Sequence, residues 1–198
     1  MPVQLDRTQL LRRGIVGGAA MLVPASGFAG RAEAAGIPDL DLAYLRVLVG
    51  VELLKVDFQV RASMSNRLAA TPARLVRRML LDDKAHYVGL AALMNGAGQT
   101  PATGGDIDFS YPRGSFSSQA AIVKLAWRLA TLALGAYLGA VENVDMPELR
   151  LPLGQIAANE AQQVGALAQL LGRPVIGGAF APSLQIDAVS AALDEFES

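Results

Sequence analysis

The chain has one histidine, His86, and it follows two acids, Asp82 and Asp83, by four and three residues. In a helix both spacings bring the carboxylates to the side of the imidazole. Met79 and Leu90 belong to the same apolar, core-facing stripe. A carboxylate and an imidazole that point into an apolar interior need a charge partner, hydrogen bonds or a metal ion. The stretch therefore predicts part of a metal site or part of a buried polar network.

Two more acids interrupt apolar helical stripes elsewhere in the chain. Glu52 falls in the stripe of Leu45 and Leu48, and Glu160 falls in the stripe of Ile156 and Val164. Acids on a core-facing stripe are rare unless they are paired. Lys55 and Asp57, close to Glu52, indicate that part of this first helix faces water.

Together, Glu52, Asp83, His86 and Glu160 are the candidate metal ligands, and Gln163 could add an amide oxygen. Carboxylates with one imidazole suit a single iron, manganese or zinc ion. The alternative is a metal-free polar core in which His86 pairs with Glu52 or Glu160 and satisfies buried groups. The residue types leave both interpretations open.

Composition excludes several classes of function. With 198 residues, one domain is expected, and a formal net charge of -1 gives no electrostatic reason to expect a nucleic-acid partner. The chain has no cysteine, so disulfides, zinc-thiolate sites, iron–sulfur clusters and thiol catalysis are excluded. A single histidine also excludes zinc motifs that need two or three.

The N-terminal segment has the pattern of an export signal. Arg12 and Arg13 are followed by an uncharged run from Gly14 to Gly30 and then by the A-x-A sequence at 32–34. This resembles a twin-arginine signal peptide over residues 1–35. It predicts export to the periplasm, cell wall or extracellular space, with no stable membrane span after cleavage. The alternative is a segment retained as an anchor.

The mature chain, residues 36–198, reads as one helical domain. Apolar periodicity and capping residues predict four long helices and a short C-terminal one. The expected helices cover residues 40–69, 71–94, 117–140, 145–171 and 185–196, with a long crossover at 99–115. Asp145 and Glu148 predict a capping box at the start of the fourth helix. The third helix has no acid or histidine and can donate no hard metal ligand.

Several segments, in order, resemble the ferritin-like domain family, and in particular its exported group, which includes the desiccation-related proteins. The segments are V-G-V-E-L-L-K-V-D-F at 49–58, L-D-D-K-A-H at 81–86, D-F-S at 108–110, A-Y-L-G-A at 136–140, P-E-L at 147–149 and N-E-A at 159–161. The first is similar to the family's N-L-E-Y-L-E-A-E-F segment. The resemblance implies an all-α, antiparallel four-helix bundle with a long crossover between helices 2 and 3, in which acids and E-x-x-H pairs hold metals.

The chain departs from that family pattern at two positions. The resemblance implies a metal-binding glutamate where this chain has Ala130, and a second histidine where it has Gln163. These losses argue against a di-iron oxidase or ferroxidase. Two functions remain: an envelope protein with a depleted site that binds one metal ion, or a metal-free structural, stress-related or partner-binding bundle. A homo-oligomer or an envelope protein partner is left open.

Overall fold

The computed structural model describes residues 36–197, and this part of the chain is helical, as predicted. Its helices are α1 (Asp39–Met64), α2 (Ala70–Gly96), α3 (Gln119–Asn143), α4 (Pro147–Leu170) and α5 (Ile186–Asp194). Within the described residues no strand forms, and the only β pairing is an isolated bridge between Phe109 and Glu197. The predicted signal segment, residues 1–35, lies outside the described residues.

The four long helices form a bundle in which neighbouring helices run in opposite directions. α1 packs on α2 and α3, and α4 packs on α3 and α2. Asp41, near the start of α1, contacts the loop after α3, whereas the main chain of Ala69, after the end of α1, contacts Gln119 at the start of α3. α2 and α3 therefore run in the same direction, so residues 97–118 must span the length of the bundle.

This crossover packs against α1. Phe109 is buried, and its carbonyl accepts a hydrogen bond from Arg61. The hydroxyl of Tyr111 lies 2.8 Å from Asp57 Oδ2 and 3.2 Å from the carbonyl oxygen of Leu54. A long loop held by side-chain contacts in this way is an ordered part of the fold.

The small residues of α3 allow another segment to cross it closely. Leu184, just before α5, donates its main-chain N–H to the carbonyl of Gly135 at 2.9 Å. A Cβ atom on Gly139 would lie 1.9 Å from the carbonyl oxygen of Leu184. Close approach of main chain to main chain requires glycine at this position.

α3 is also the one helix among the described residues that is long and apolar enough to cross a membrane, judged by length and composition alone. More than half of its apolar window, 56%, is buried inside the bundle. A core helix passes the same test, so this feature follows from the position of α3 in the core.

The start of α4 is capped by a residue from another helix. The buried carboxylate of Asp41 in α1 accepts hydrogen bonds from the main-chain N–H groups of Asp145 and Met146, at 2.8 and 2.9 Å. The N-cap residue is Met146, without a side-chain cap of its own. The predicted capping box beginning at Asp145 is therefore wrong: the N-cap is Met146, and the Asp145 N–H that Glu148 would have bound is taken by Asp41.

Candidate metal centre

The structure brings the four predicted ligand residues together in the middle of the bundle. α1 supplies Glu52, α2 supplies Asp83 and His86, and α4 supplies Glu160. Each offers one ligand atom, and these atoms all lie within 4.8 Å of one another. The three acids are fully buried. By residue type and spacing this cluster could hold a metal ion.

Asp82, the other acid next to His86, does not join the cluster. Its carboxylate pairs with Arg78, four residues earlier on α2, at 2.7 Å. The prediction that Asp82 and Asp83 both lie on the side of His86 is thus wrong for Asp82. One residue turns a helix by about 100°, which places Asp82 at the edge of the buried face where Arg78 can reach it.

The centre of the cluster contains the ammonium group of Lys55. Its Nζ lies 2.5 Å from Glu160 Oε1, 3.1 Å from Asp83 Oδ1 and 3.8 Å from Glu52 Oε2. The residue is only 1% exposed. A positive charge of the protein itself therefore contacts carboxylates from three different helices.

This placement corrects the expectation that Lys55 faces water. Lys55 follows Glu52 by three residues and therefore shares its face of α1. Asp57 instead lies partly exposed and pairs with Arg61 at 2.8 Å. The sequence contains a signal for this placement. The family's N-L-E-Y-L-E-A-E-F segment has glutamate at the position where this chain has Lys55. An acid replaced by lysine beside another core-facing acid indicates an internal ion pair.

Two glutamines fix the carboxylate of Asp83. Gln59 Nε2 donates to Oδ2 at 2.5 Å, and Gln163 Nε2 donates to Oδ1 at 2.7 Å. Both glutamines are buried. The amide N–H group of Gln163 faces Asp83, so this residue orients the carboxylate as a hydrogen-bond donor.

α3 contributes Tyr137, which sequence reasoning missed. Its hydroxyl donates to Glu52 Oε1 at 2.5 Å, and the side chain is fully buried. Tyr137 belongs to the A-Y-L-G-A segment at 136–140, but a phenol is not among the usual hard metal ligands, so its residue type alone does not indicate a place in the site. Ala130, at the position of the missing glutamate, is buried and adds no polar atom.

The carboxylates keep both cations of the cluster charged. Burial lowers the pKa of Lys55, but Glu160, Glu52 and Asp83 outweigh burial, so the pKa lies well above its usual value. Burial alone would lower the pKa of His86, but the carboxylates of Glu160 and Glu52, 3.4 and 3.3 Å from Nδ1, outweigh burial and raise this pKa to about 9. At neutral pH both Lys55 and His86 therefore carry a positive charge.

The neighbouring acidic groups are shifted towards their neutral forms. Burial raises the pKa of Asp83, against the effect of the Lys55 ammonium. Burial and the charge of Glu52 also raise the pKa of the Tyr137 phenol well above its usual value. Tyr137 is thus a hydrogen-bond donor to Glu52 at any physiological pH.

A metal ion at this site would need the atoms that Lys55 contacts. An ion bound to Glu160 Oε1 and Asp83 Oδ1 would take the place of the ammonium, because two cations cannot share these oxygens at close range. A ligating imidazole must also be neutral, so His86 would have to release its proton. The four side chains are of the types that bind a metal ion. While the Lys55 ammonium lies among them, however, the site does not fit one.

Comparison with known proteins agrees with the fold. The profile of the ferritin-like domain family matches residues 40–173, which cover the four long helices and the crossover. No curated protein shows significant similarity to the chain.

Proposed function

Because the chain belongs to the ferritin-like domain family, we propose that it is an exported bundle protein in which a lysine takes the place of a metal ion. Its role in this proposal is structural or partner-binding, and it is not a metal-dependent enzyme. The observation that carries the proposal is the position of Lys55 Nζ, 2.5 to 3.8 Å from three buried carboxylates.

Burial supports a structural role for the cluster. The side chains of Glu52, Asp83 and Glu160 are 0% exposed, that of Lys55 is 2% exposed and that of His86 is 11% exposed. A substrate could reach the carboxylates only if the helices separated. The ion pairs instead connect α1, α2 and α4, and Tyr137 adds α3. Such a network specifies which helix faces meet in the core.

The metal content of the protein tests this proposal. We expect wild-type protein purified without a chelator to contain far less than one transition-metal ion per chain, measured by inductively coupled plasma mass spectrometry. The control is Glu52→Ala, which removes one candidate ligand. About one ion per chain in the wild type, reduced by Glu52→Ala, would overturn the proposal.

A second candidate is an envelope protein that binds a single iron, manganese or zinc ion. The spacing of the four ligand atoms, all within 4.8 Å, favours it. It requires Lys55 to leave the cluster when the metal enters. Under this alternative the same measurement gives one ion per chain, and addition of that metal raises the melting temperature of the wild type.

Export is part of the proposal and is supported by the sequence pattern alone. The arginine pair at 12–13, the uncharged run and the A-x-A sequence together have the organisation of a cleaved signal. A protein folded before export would carry its ion-pair network already assembled and would need no metal on arrival.

A further inference from the structure

We infer that Lys55 masks a latent site for one divalent transition-metal ion, and that Glu52, Asp83, His86 and Glu160 form this site once the ammonium is removed. The inference rests on the proposed function, since it takes Lys55 as the cation that the cluster holds in the native protein. On this inference, the side chain of Lys55 alone determines whether the bundle binds a metal ion.

The first observation concerns the carboxylate oxygens to which Lys55 donates no hydrogen bond. An ammonium has three N–H donors, whereas the three carboxylates present six oxygens. Tyr137 and the two glutamines serve Glu52 Oε1 and both oxygens of Asp83. Among the residues that the structure describes, Glu160 Oε2 is buried and accepts no hydrogen bond, and Glu52 Oε2 has the Lys55 ammonium only at 3.8 Å, beyond hydrogen-bond distance. A divalent cation takes more oxygen ligands than an ammonium has N–H groups, so it can use carboxylate oxygens to which Lys55 donates no hydrogen bond.

The second observation is that two of the three carboxylates are oriented by groups other than Lys55. Asp83 is held by Gln59 and Gln163 from α1 and α4, and Glu52 is held by Tyr137 from α3. Outer hydrogen bonds of this type fix the direction of metal ligands. Removal of the lysine therefore leaves Asp83 and Glu52 held in direction, and His86 Nδ1 lies 3.3 Å from Glu52 Oε1 and 3.4 Å from Glu160 Oε1.

The chemistry of the donors defines the class of ion. Carboxylates with one imidazole suit zinc, manganese, iron(II) and, as a spectroscopic probe, cobalt(II). The ion would also offset the negative charge that the carboxylates keep when the ammonium is gone. A gain in metal affinity and a gain in stability on metal addition are then expected together.

The test compares metal binding by the wild type, Lys55→Met and Lys55→Gln. Met keeps most of the side-chain volume, and Gln keeps a hydrogen-bond donor for the carboxylates. We expect both variants to bind one Co(II) or Zn(II) per chain, with an affinity roughly 100-fold or more above that of the wild type. Co(II) should show a visible absorption spectrum typical of protein ligands, and Zn(II) should raise the melting temperature of the variants but not of the wild type.

Two controls separate this site from adventitious binding. Lys124→Met changes an exposed lysine on α3 and should leave metal binding at the wild-type level. Glu160→Gln added to Lys55→Met should abolish the gain, because it removes one ligand.

Three outcomes contradict the inference or its premise. Folded Lys55 variants that bind no more metal than the wild type would overturn the inference. So would failure of both variants to fold even when refolded with Zn(II), since the four side chains then form no site without the ammonium. One equivalent of tightly bound metal in the wild type would instead overturn the proposed function and leave Lys55 no masking role.

Discussion

Lys55 combines two properties that usually exclude each other, full burial and a positive charge. Taking an ammonium out of water costs several kcal/mol, which close carboxylates can offset when the geometry is good. Here the offset comes from acids that the helical bundle already places at its centre, at 2.5 and 3.1 Å for the two nearest. Removal of either the lysine or the acids would therefore leave buried charge without a partner of opposite sign.

We predict that Lys55→Ala destabilises the protein by about 3 to 5 kcal/mol, because it leaves three buried carboxylates facing a single imidazolium. Urea denaturation followed by circular dichroism measures the change in the free energy of unfolding. Lys84→Ala, on the exposed side of α2, is the matched control and should change stability by less than about 0.5 kcal/mol. A Lys55→Ala effect no larger than that of the control would contradict the ion-pair network.

The raised pKa of His86 predicts that the stability of the protein depends on pH in the alkaline range. Its pKa rises from 6.5 to about 9 on folding. A raised pKa means that the folded state binds the proton more tightly, so the stabilising effect is complete below pH 6.5 and is lost as the pH rises through 9. We expect the free energy of unfolding to fall over this window, by an amount on the order of 1 to 3 kcal/mol. In His86→Gln this decline should be absent, and a wild type equally stable at pH 6 and pH 9.5 would contradict it.

At the level of single residues, the sequence predicted part of the site. Glu52, Asp83, His86 and Glu160 were recognisable because ionisable groups on an apolar stripe are uncommon. Lys55 was misassigned because a lysine near other charges usually faces water. Tyr137 and Gln59 carry no charge, and their roles depend on which helices meet, so a single-helix pattern could not identify them.

Among the helices, α3 has small residues that allow the main chain of another segment to pack closely against it. Gly135 and Gly139 lie one turn apart, on the side of the helix crossed by the main chain at Leu184. The crossing connects the segment before α5 to the bundle. α5 then packs on α1 and α3, and residues 196 and 197 pair with the crossover at Phe109 and Ser110.

We predict that Gly139→Ala destabilises the protein by about 2 kcal/mol or more, because the new methyl group would collide with the carbonyl of Leu184, which cannot move independently of its chain. Gly154→Ala is the control. Gly154 also lies inside a helix, but nothing is within 4 Å of an added Cβ atom. Alanine there should be neutral or stabilising by about 0.5 to 1 kcal/mol. Equal melting temperatures for the two variants would show that the crossing at Leu184 is not tight.

We also predict that Asp41→Ala costs about 1 to 2 kcal/mol, the usual effect of losing a helix cap. The loss leaves the main-chain N–H groups before α4 without their acceptor. Hydrogen exchange should increase first at the start of α4. Asp39→Ala, on the exposed first turn of α1, is the control, and equal exchange in both variants would contradict the capping role.

For the whole molecule, the number of helices, their order and the long crossover followed from the sequence. Periodicity and helix boundaries predict the helices, and the family resemblance supplies their arrangement. Helix ends were less accurate: α1 ends at Met64 and not at 69, and α4 begins at Pro147 and not at 145, where the preceding main-chain N–H groups bind Asp41. The contacts between helices could not be predicted, since they require the register of one helix against another.

The proposed export also concerns the whole chain. We predict that replacing Arg12 and Arg13 with lysine stops export and leaves the uncleaved precursor in the cytoplasm, because the twin-arginine pattern is read at this pair. Cell fractionation with immunoblotting measures the distribution. Arg31→Lys, beyond the uncharged run, is the control and should be exported normally. Normal export of the double lysine variant would remove the basis for the proposed location.

The most direct test of the lysine as the internal cation is nuclear magnetic resonance of lysine side chains labelled with nitrogen-15. Lys84 and Lys124 are exposed, and their ammonium protons should exchange with water too fast to be seen at neutral pH. We predict one protected ammonium signal, from Lys55, which is absent in Lys55→Gln and unchanged by one equivalent of Zn(II). No protected signal, or a signal that one equivalent of Zn(II) removes, would contradict the account.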